Sequence, residues 1–502
     1  MQAYAVSYSK YMIAASMVLY TFLAYVAMPS GRDVRRTCET LQRLCLGVFT
    51  INAYLTMAIL AGDEYIFTFG LLQLLIVLGA SLIYRTLYKS ANMLMVNNIM
   101  MLLSIGLVMI TRINPAKAQK QLLISLAGMV FLMVIPLLRG KFDSLRKGTY
   151  FYGILGIASL GAVLLLGAIT NGSKISFTIA GMTFQPSEFV KLLFLLFMAS
   201  ALCEENSRNH LAILTAAALV HVGILVLSRD LGSALIFFVI YLSLLFLSTG
   251  NWQILAGGLF LGLITAVVCF FLFSHVRVRV QVFLDPWSSI DGNGFQITQA
   301  LFAISFGGLF GAGLMQGMPS SIPFVESDFI FAAIVEEMGI IFGICLILLC
   351  LNIFTDFLLL AGSYSNKFYR LYIFGTAIAF IFQAFLTIGG EVKFIPLTGV
   401  TLPLVSYGGS SVLATFIMFG IVGAIFMLQE ERLERFRLRY EMEHSPDRSS
   451  LYEKAGAERE TKEYYHNNSG QEGADQDFYK DFKGVPIYDP GKDYENMNHF
   501  DV

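Results

Sequence analysis

Charged side chains that could act as a base or bind an anion are concentrated in one interruption of an otherwise apolar sequence. The interruption, His275–Gly339, contains Arg277, Arg279, Glu326 and Asp328, whereas the segments on either side carry almost no charge. Ionisable groups next to hydrocarbon are costly and usually serve a function. We therefore expect the chemistry of this protein to lie in this stretch.

Asp328 is the sharpest candidate, because it stands at the mouth of an apolar run that begins at Phe329. A carboxylate at the edge of low-dielectric surroundings can have a raised pKa and act as a general base. The alternative is a helix N-cap, a role that suits Ser327 or Asp328. The position of Asp328 in the sequence alone favours the N-cap role.

Glu336 and Glu337 follow in the same predicted span, and Glu336 is eight residues from Asp328. That spacing predicts one shared helical face. Such acids either face a wet cavity or form hydrogen bonds to backbone and to neighbouring helices, and both readings stay open.

Arg277 and Arg279 alternate with valines, in the pattern HVRVRV. We expect both guanidinium groups on the wet side, where they suit an anionic group such as phosphate. The alternative is snorkelling at a helix end.

A second polar group opens another span, with Glu188 and Lys191 three residues apart after Pro186. A buried ammonium needs a partner, and Glu188 is near enough to neutralise Lys191. Asp230 also starts a span and could be a helix cap.

The stretch Ile395–Ser411 contains Pro396, Pro403 and three glycines, which argues against a regular spanning helix. Irregular backbone at membrane depth survives only inside protein or beside a cavity, so we expect this stretch to line a pocket. The histidines show no metal-ligand spacing, the glycines match no nucleotide motif, and we expect no nucleic acid partner.

The elements that carry these residues are membrane spans. The chain has 502 residues, of which 56% are hydrophobic and 14% charged, with a mean hydropathy of +0.68. A spanning helix needs roughly 20 apolar residues, and the sequence supplies about thirteen such runs. They are Tyr11–Met28, Leu41–Gly62, Tyr65–Leu87, Met93–Ile110, Gln121–Leu138, Tyr150–Ile169, Ser187–Leu202, Leu211–Ser228, Leu231–Leu247, Ile254–Phe273, Phe329–Leu351, Leu371–Thr387 and Ser411–Leu428.

Lys and Arg are enriched in the loops that share one side if the N-terminus is external, and such loops are usually cytoplasmic. The loop Arg112–Lys120 is an exception. On this topology the segments that carry Glu188, Asp230, Asp328 and Pro396 all reach the external face.

From Gln429 the chain turns polar, first as a predicted helix and then without apolar periodicity, which predicts a cytoplasmic and mostly disordered tail. That tail is either a solvated extension or a docking segment.

Five motifs, in this order and spacing, resemble the SEDS family (FtsW/RodA/SpoVE-like proteins), over roughly residues 93 to 428. They are FQPSEFVK at Phe184–Lys191, RDLGSA at Arg229–Ala234, GNGFQITQALFAISFGGLFGAGL at Gly292–Leu314, SDFIFAAIVEEMG at Ser327–Gly339 and PLTGVTLPLVSYGGSS at Pro396–Ser411.

The resemblance implies an all-α polytopic membrane protein with a ten-helix core that polymerises lipid II into peptidoglycan glycan strands. The hydroxyl of one lipid II would attack the donor sugar, and undecaprenyl pyrophosphate would leave. The family's essential aspartate falls on Asp328, as general base or as ligand of a divalent cation, Mg²⁺ or Mn²⁺. The remaining family positions make substrate-binding candidates of Glu188, Lys191, Asp230, Arg277, Arg279, Glu337, Lys393 and Ser406.

The chain also departs from the family pattern. Ile175 and Ser176 stand where many members have Arg-Trp, Glu326 and Ser327 where many have His-Thr, and Thr398 where some have lysine. These changes leave the expected fold intact but weaken the assignment of pyrophosphate contacts.

We therefore expect three additional N-terminal spans (residues 1–90), a SEDS-like core (91–428) with a large external loop (275–328), and a polar tail (429–502). The expected activity is a peptidoglycan glycosyltransferase in a bacterial cytoplasmic membrane, with a class B penicillin-binding protein as partner. The alternatives are a flippase for a lipid-linked sugar, which would place essential charges at mid-bilayer, and a non-catalytic activating scaffold.

Overall fold

The computed structural model describes residues 2–170, 173–179, 182–204 and 207–444, with backbone alone for 2–5, 168–183 and 436–444. The predicted disordered part of the tail, residues 445–502, lies outside the described residues. Most of the described chain is helical.

The helices, with short 3₁₀ turns between some of them, are α1 (Gln2–Ala27), α2 (Arg32–Ala61), α3 (Glu64–Leu87), α4 (Met93–Ile113), α5 (Pro115–Val134), α6 (Phe142–Leu145), α7 (Thr149–Leu166), α8 (Pro186–Ala201), α9 (Arg208–Leu227), α10 (Leu231–Thr249), α11 (Trp252–Leu272), α12 (Ser274–Leu284), α13 (Phe295–Gly307), α14 (Ile330–Met338), α15 (Ile340–Gly362), α16 (Lys367–Glu391) and α17 (Gly409–His444). Eleven helical stretches are long and apolar enough to cross a membrane, and one of them, Pro115–Leu166, contains both α5 and α7. With the shorter α8, each predicted span except Phe329–Leu351 corresponds to one helix.

Three short antiparallel strands are the exception to the all-α prediction. They are β1 (Ala168–Thr170), β2 (Ser173–Ile179) and β3 (Met182–Phe184), in the order β1-β2-β3. No strand was predicted for this segment, although the alternation in SKISFTI is typical of a strand. Ile175 and Ser176 lie in β2, and their side chains are outside the described part of the chain.

The predicted span Phe329–Leu351 was wrong as a single helix. The chain breaks at Gly339, where φ is +92°, and separates the nine-residue α14 from α15. This φ favours glycine, and a Cβ at Gly339 would also collide with the backbone at Leu309 and Gly311. The tight approach of two backbones therefore divides the apolar run.

The helix α4 is the centre of the bundle, since its whole apolar window is buried inside the protein. Polar side chains join it to its neighbours within the membrane. Asn98 donates to Asn352 of α15 at 2.8 Å and accepts from Tyr20 of α1 at 3.1 Å, while Asn97 donates to Gln42 of α2 at 3.1 Å. Interhelical hydrogen bonds of this kind stabilise helix packing where lipid offers no hydrophobic contrast. The N-terminal helices are thus packed onto the rest of the bundle.

Ion pairs collect at two opposite ends of the bundle. At one end, Arg139 pairs with Glu431 at 2.6 Å, and Arg432 pairs with Asp143 at 3.3 Å. The loops rich in Lys and Arg, which the charge pattern predicts to share one side of the membrane, lie at this end. The predicted helical start of the tail belongs to α17, which continues without a break through Gln429 to His444.

At the other end, basic residues at the end of α4 and the start of α5 pair with acids of α14 and of the large loop (275–328). Arg112 pairs with Glu337 at 3.0 Å, and Lys117 pairs with Glu326. Two of the three cations in the exceptional loop Arg112–Lys120 are therefore neutralised by carboxylates.

Candidate functional site

Asp328 ends a turn directly before α14 and is only partly buried. The turn is held by its own backbone, since the Asp328 N–H donates to the Phe324 carbonyl at 3.0 Å. Phe324 has a φ of +57°, which is unusual for a residue other than glycine. The N-cap position of α14 is Phe329, with no capping side chain, so the alternative role of Ser327 or Asp328 as a cap was wrong.

Glu391, the last residue of α16, supplies the missing cap. One carboxylate oxygen accepts the Ala332 N–H at 2.8 Å, and the side chain is fully buried. Glu391 was not among the predicted site residues. Its signal was a lone carboxylate at the end of an apolar span, after two glycines. Because Glu391 accepts a backbone N–H in the first turn of α14, the carboxylate of Asp328 is not needed as a helix cap.

Arg279 reaches from α12 to the irregular segment that follows α16. Its Nη1 donates to the Thr398 carbonyl at 2.9 Å. A Cβ built on Gly399, which has a φ of +73°, would lie 3.6 Å from Arg279 Nη2 and 3.9 Å from Asp328 Oδ2. The guanidinium, the carboxylate and the glycine backbone therefore surround one small space. The predicted irregular stretch forms one wall of it, as expected.

The charge balance in this space is set by burial and by neighbouring side chains. Burial raises the pKa of Asp328, while the Ser327 hydroxyl and the Arg279 charge lower it and the Glu326 charge raises it again. Burial lowers the pKa of Arg279, and the charges of Asp328 and Asp230 oppose that shift. A carboxylate with a raised pKa and no direct ion pair among the described residues can accept a proton.

Arg277 and Arg279 do not act alike, because residues two apart in a helix point to different sides. The Arg277 side chain is exposed and has no hydrogen bond or ion pair within the described part of the chain, whereas Arg279 turns inward. The expectation that both guanidinium groups lie on the wet side holds only for Arg277.

Ser406 joins two loops. Its hydroxyl donates to the Ser327 carbonyl at 2.6 Å and accepts the Leu402 N–H at 2.9 Å, and the side chain is 1% exposed. The neighbouring Tyr407 N–H donates to the Glu326 carbonyl at 2.7 Å. Ser406 therefore fixes the backbone next to Asp328.

Glu188 and Lys191 are buried and paired at 2.7 Å, as their spacing predicted. The Lys191 ammonium also donates to Gln383 of α16 at 2.6 Å, and Gln383 in turn donates to the Thr401 carbonyl at 3.0 Å. Sequence reasoning missed Gln383, since an amide in an apolar helix is not diagnostic. This network connects α8 to the segment that contains Thr398.

Asp230 caps α10, as the alternative reading proposed. One oxygen accepts the Ser233 N–H at 3.1 Å, and the other accepts the Ser187 hydroxyl at 3.2 Å. Burial raises its pKa, whereas the Ser233 and Ser187 hydrogen bonds lower it. The charge of Asp230 also raises the pKa of Arg279, against the effect of burial.

Glu336 and Glu337 accept hydrogen bonds from the backbone of the loop at residues 315–318. Glu337 is fully buried and accepts from Arg112 at 3.0 Å, from the Met315 N–H at 3.2 Å and from the Gly317 N–H at 3.3 Å. Glu336 accepts the Met318 N–H at 2.7 Å. The expectation that Asp328 and Glu336 share a helical face was wrong, because α14 begins only at Ile330.

Lys393 lies in the turn after α16, with a φ of +56° and a half-buried side chain. Its backbone N–H donates to the Gly390 carbonyl at 3.3 Å. No hydrogen bond or ion pair of its ammonium is found within the described residues.

The described residues contain no group of three His, Cys, Asp or Glu side chains that could hold a metal ion. Glu326 is paired with Lys117, and Asp230 is occupied as a cap. Mg²⁺ is often bound by one or two carboxylates together with substrate phosphates and water. Asp328, whose carboxylate is in no ion pair among the described residues, would be a carboxylate ligand of such a cation.

Comparison with known proteins agrees with the motifs. The FtsW/RodA/SpoVE family, described as "Cell cycle protein", matches residues 66–431. The peptidoglycan glycosyltransferase RodA of Mycobacterium tuberculosis is 32% identical, with 80% of this chain and 92% of that protein covered. The probable peptidoglycan glycosyltransferase FtsW of Bacillus subtilis is 28% identical, over 68% of this chain and 92% of that protein.

Two solved structures have the same fold. A chain from a structure titled "Structural coordination of polymerization and crosslinking by a peptidoglycan synthase complex" superposes with a TM-score of 0.59 and 26% identity, covering 68% of this chain and 98% of that one. The rod shape determining protein RodA of Thermus thermophilus gives a TM-score of 0.51 and 25% identity, over 67% and 96% of the two chains. The chain therefore belongs to the SEDS family of FtsW, RodA and SpoVE proteins.

Proposed function

We propose that this protein polymerises lipid II at the outer face of the cytoplasmic membrane, with Asp328 as the general base. The chain is a peptidoglycan glycosyltransferase and a multi-pass membrane protein, in keeping with its family and the names of its relatives. The single observation that carries the role of Asp328 is its partly buried carboxylate, which is not used as a cap and lies beside Arg279 and Gly399.

In the proposed step, the GlcNAc 4-hydroxyl of the acceptor attacks C1 of the donor MurNAc. A new C1–O bond forms, the bond from C1 to the pyrophosphate oxygen breaks, and undecaprenyl pyrophosphate leaves with the bonding electrons. Asp328 takes the proton of the attacking hydroxyl. A raised pKa favours this role, since an effective base has a pKa near the working pH.

Two cationic groups are proposed to act on the pyrophosphate. Arg277 is exposed on the same helix as Arg279 and has no partner among the described residues, so its guanidinium is available to bind phosphate oxygens. Lys393 has an ammonium without a partner in the described part of the chain and is the second candidate. Arg279 is proposed to orient Asp328 and the loop at Thr398. A divalent cation, if bound, would neutralise charge on the pyrophosphate next to Asp328.

The other family positions are proposed to shape the site. Lys191 is only 2% exposed and is already paired, so Glu188 and Lys191 would hold α8 against the segment from Thr398 to Ser411. Ser406 and Asp230 would fix loops, and Glu337 would brace the loop before α14.

We also propose that a class B penicillin-binding protein is the partner and that the active face is external with a cytoplasmic tail. The related structure is titled as a peptidoglycan synthase complex, which supports such an assembly. The charge distribution of the loops supports the orientation. The proposed core starts at residue 91, while the family match begins earlier, at residue 66 within α3.

The test is lipid II polymerisation by the purified full-length protein, alone and with a class B penicillin-binding protein. Glycan chains from the wild type are expected. A protein that moves lipid II across vesicles without polymerising it would be a flippase, and one that only stimulates its partner, whatever stands at position 328, would be a scaffold.

A further inference from the structure

We infer that Lys117 and Glu326 are positioning residues, whose ion pair holds the turn ending at Asp328 against α5 in the geometry needed for transfer. The inference rests on the proposed function of Asp328 as a base. Neither residue belongs to the motifs that identify the family, and Glu326 stands at a position where this chain departs from the common pattern.

The pair joins two separate elements at the border of the site. Lys117 lies in the first turn of α5, and Glu326 lies two residues before Asp328. The Lys117 side chain is 38% exposed and that of Glu326 is 14% exposed, so the pair is sheltered on the Glu326 side. The Lys117 ammonium also lies 5.7 Å from the centroid of the Tyr407 ring, within the range of a cation–π contact.

Apart from this pair, the turn is held to the rest of the protein by backbone carbonyls that accept hydrogen bonds. The Ser406 hydroxyl and the Tyr407 N–H bind the carbonyls of Ser327 and Glu326, at 2.6 and 2.7 Å. Both of these bonds come from the loop before α17. Lys117 is the only described side chain that ties the turn to α5 by an ion pair.

The position of Lys117 argues against a purely local role. A cation in the first turn of a helix is unfavourable with the helix dipole, and this turn has no acidic residue to offset it. The start of α5 is already capped by Asn114, whose side chain accepts the Lys117 N–H at 3.1 Å. The contacts that offset the unfavourable interaction of the Lys117 charge with the helix dipole therefore come from Glu326 and Tyr407.

The experiment measures kcat and KM for lipid II with the full-length protein and its penicillin-binding partner. Lys117→Glu and Glu326→Lys should each lower kcat about tenfold or more, since small misplacements of a reacting group are costly. The combined reversal should return kcat to within about threefold of wild type, because opposite charges again face each other. KM should change by less than about twofold, as the pair does not contact substrate.

The matched control is the pair Arg139 and Glu431 at the opposite end of the bundle. Reversing either of these charges should leave kcat unchanged. If a reversal at position 117 or 326 prevents folding, the neutral variants Lys117→Met and Glu326→Gln carry the same prediction for kcat.

Unchanged kcat in the single variants would overturn the inference, as would an equally low kcat in the double reversal. A raised KM with unchanged kcat would show instead that the pair binds substrate. All of these results require that the wild type polymerises lipid II, so failure of the proposed function is seen separately, as a wild type without polymer.

Discussion

Replacing Arg279 with glutamine should shift the pH dependence of polymerisation. The guanidinium lowers the pKa of Asp328, so removing its charge raises that pKa. A base acts only when deprotonated, and kcat therefore rises with pH through the pKa of Asp328. In the Arg279→Gln variant this rise should occur at higher pH.

The size of the shift follows from the geometry. Arg279 Nη2 and Asp328 Oδ2 lie 3.6 and 3.9 Å from the same point at Gly399, so their separation is at most about 7.5 Å. At an effective dielectric constant of about 20, this separation gives an interaction of about 2 kcal/mol. Solvent around these half-buried groups screens part of it, and we expect a shift of about one pKa unit.

The assay is the initial rate of lipid II polymerisation at saturating substrate, measured from acidic to mildly alkaline pH. Arg277→Gln is the matched control, since Arg277 lies on the same helix but is exposed. Its profile should keep its midpoint, with a change in KM if Arg277 binds the pyrophosphate. Equal midpoints for wild type and Arg279→Gln, or equal shifts in both variants, would refute the electrostatic reasoning.

Other replacements test how the site is supported. Lys191→Met leaves the carboxylate of Glu188 buried without its counter-charge and should lower stability by about 3 to 5 kcal/mol, measured as thermal unfolding in detergent; adding Glu188→Gln should recover most of this loss. Glu337→Ala should cost a similar amount, about 3 kcal/mol or more, and reduce polymerisation only in proportion to the folded fraction. Gly311→Ala should fold poorly, because φ is +80° and a Cβ would meet the Glu337 carbonyl, whereas Gly257→Ala in α11 has open space and should be neutral.

The long apolar runs of the sequence were sufficient to predict most of the fold. The spans around α1 to α5 coincide with helices to within a few residues, except that α1 and α2 begin about nine residues earlier and α5 about six residues earlier. The break at Gly339 was missed, because hydropathy does not report the close approach of Leu309 and Gly311. The three short strands were missed for the related reason that a brief alternating pattern between spans looks like a loop.

The site was only partly predictable. Asp328, Arg279 and the segment at Thr398 were singled out, and the structure brings them together. Glu391 and Lys117 were not assigned a role. Their roles depend on partners 59 and 209 positions away in the chain, and no local pattern encodes such contacts.

The most direct test of the central claim compares Asp328→Asn with the wild type in lipid II polymerisation. Asparagine keeps the shape of the side chain but cannot accept the proton, and removal of a general base typically lowers the rate by about 10²- to 10⁴-fold. We predict such a loss in kcat, with lipid II binding and the thermal unfolding midpoint unchanged. Polymerisation by Asp328→Asn at the wild-type rate would contradict the account.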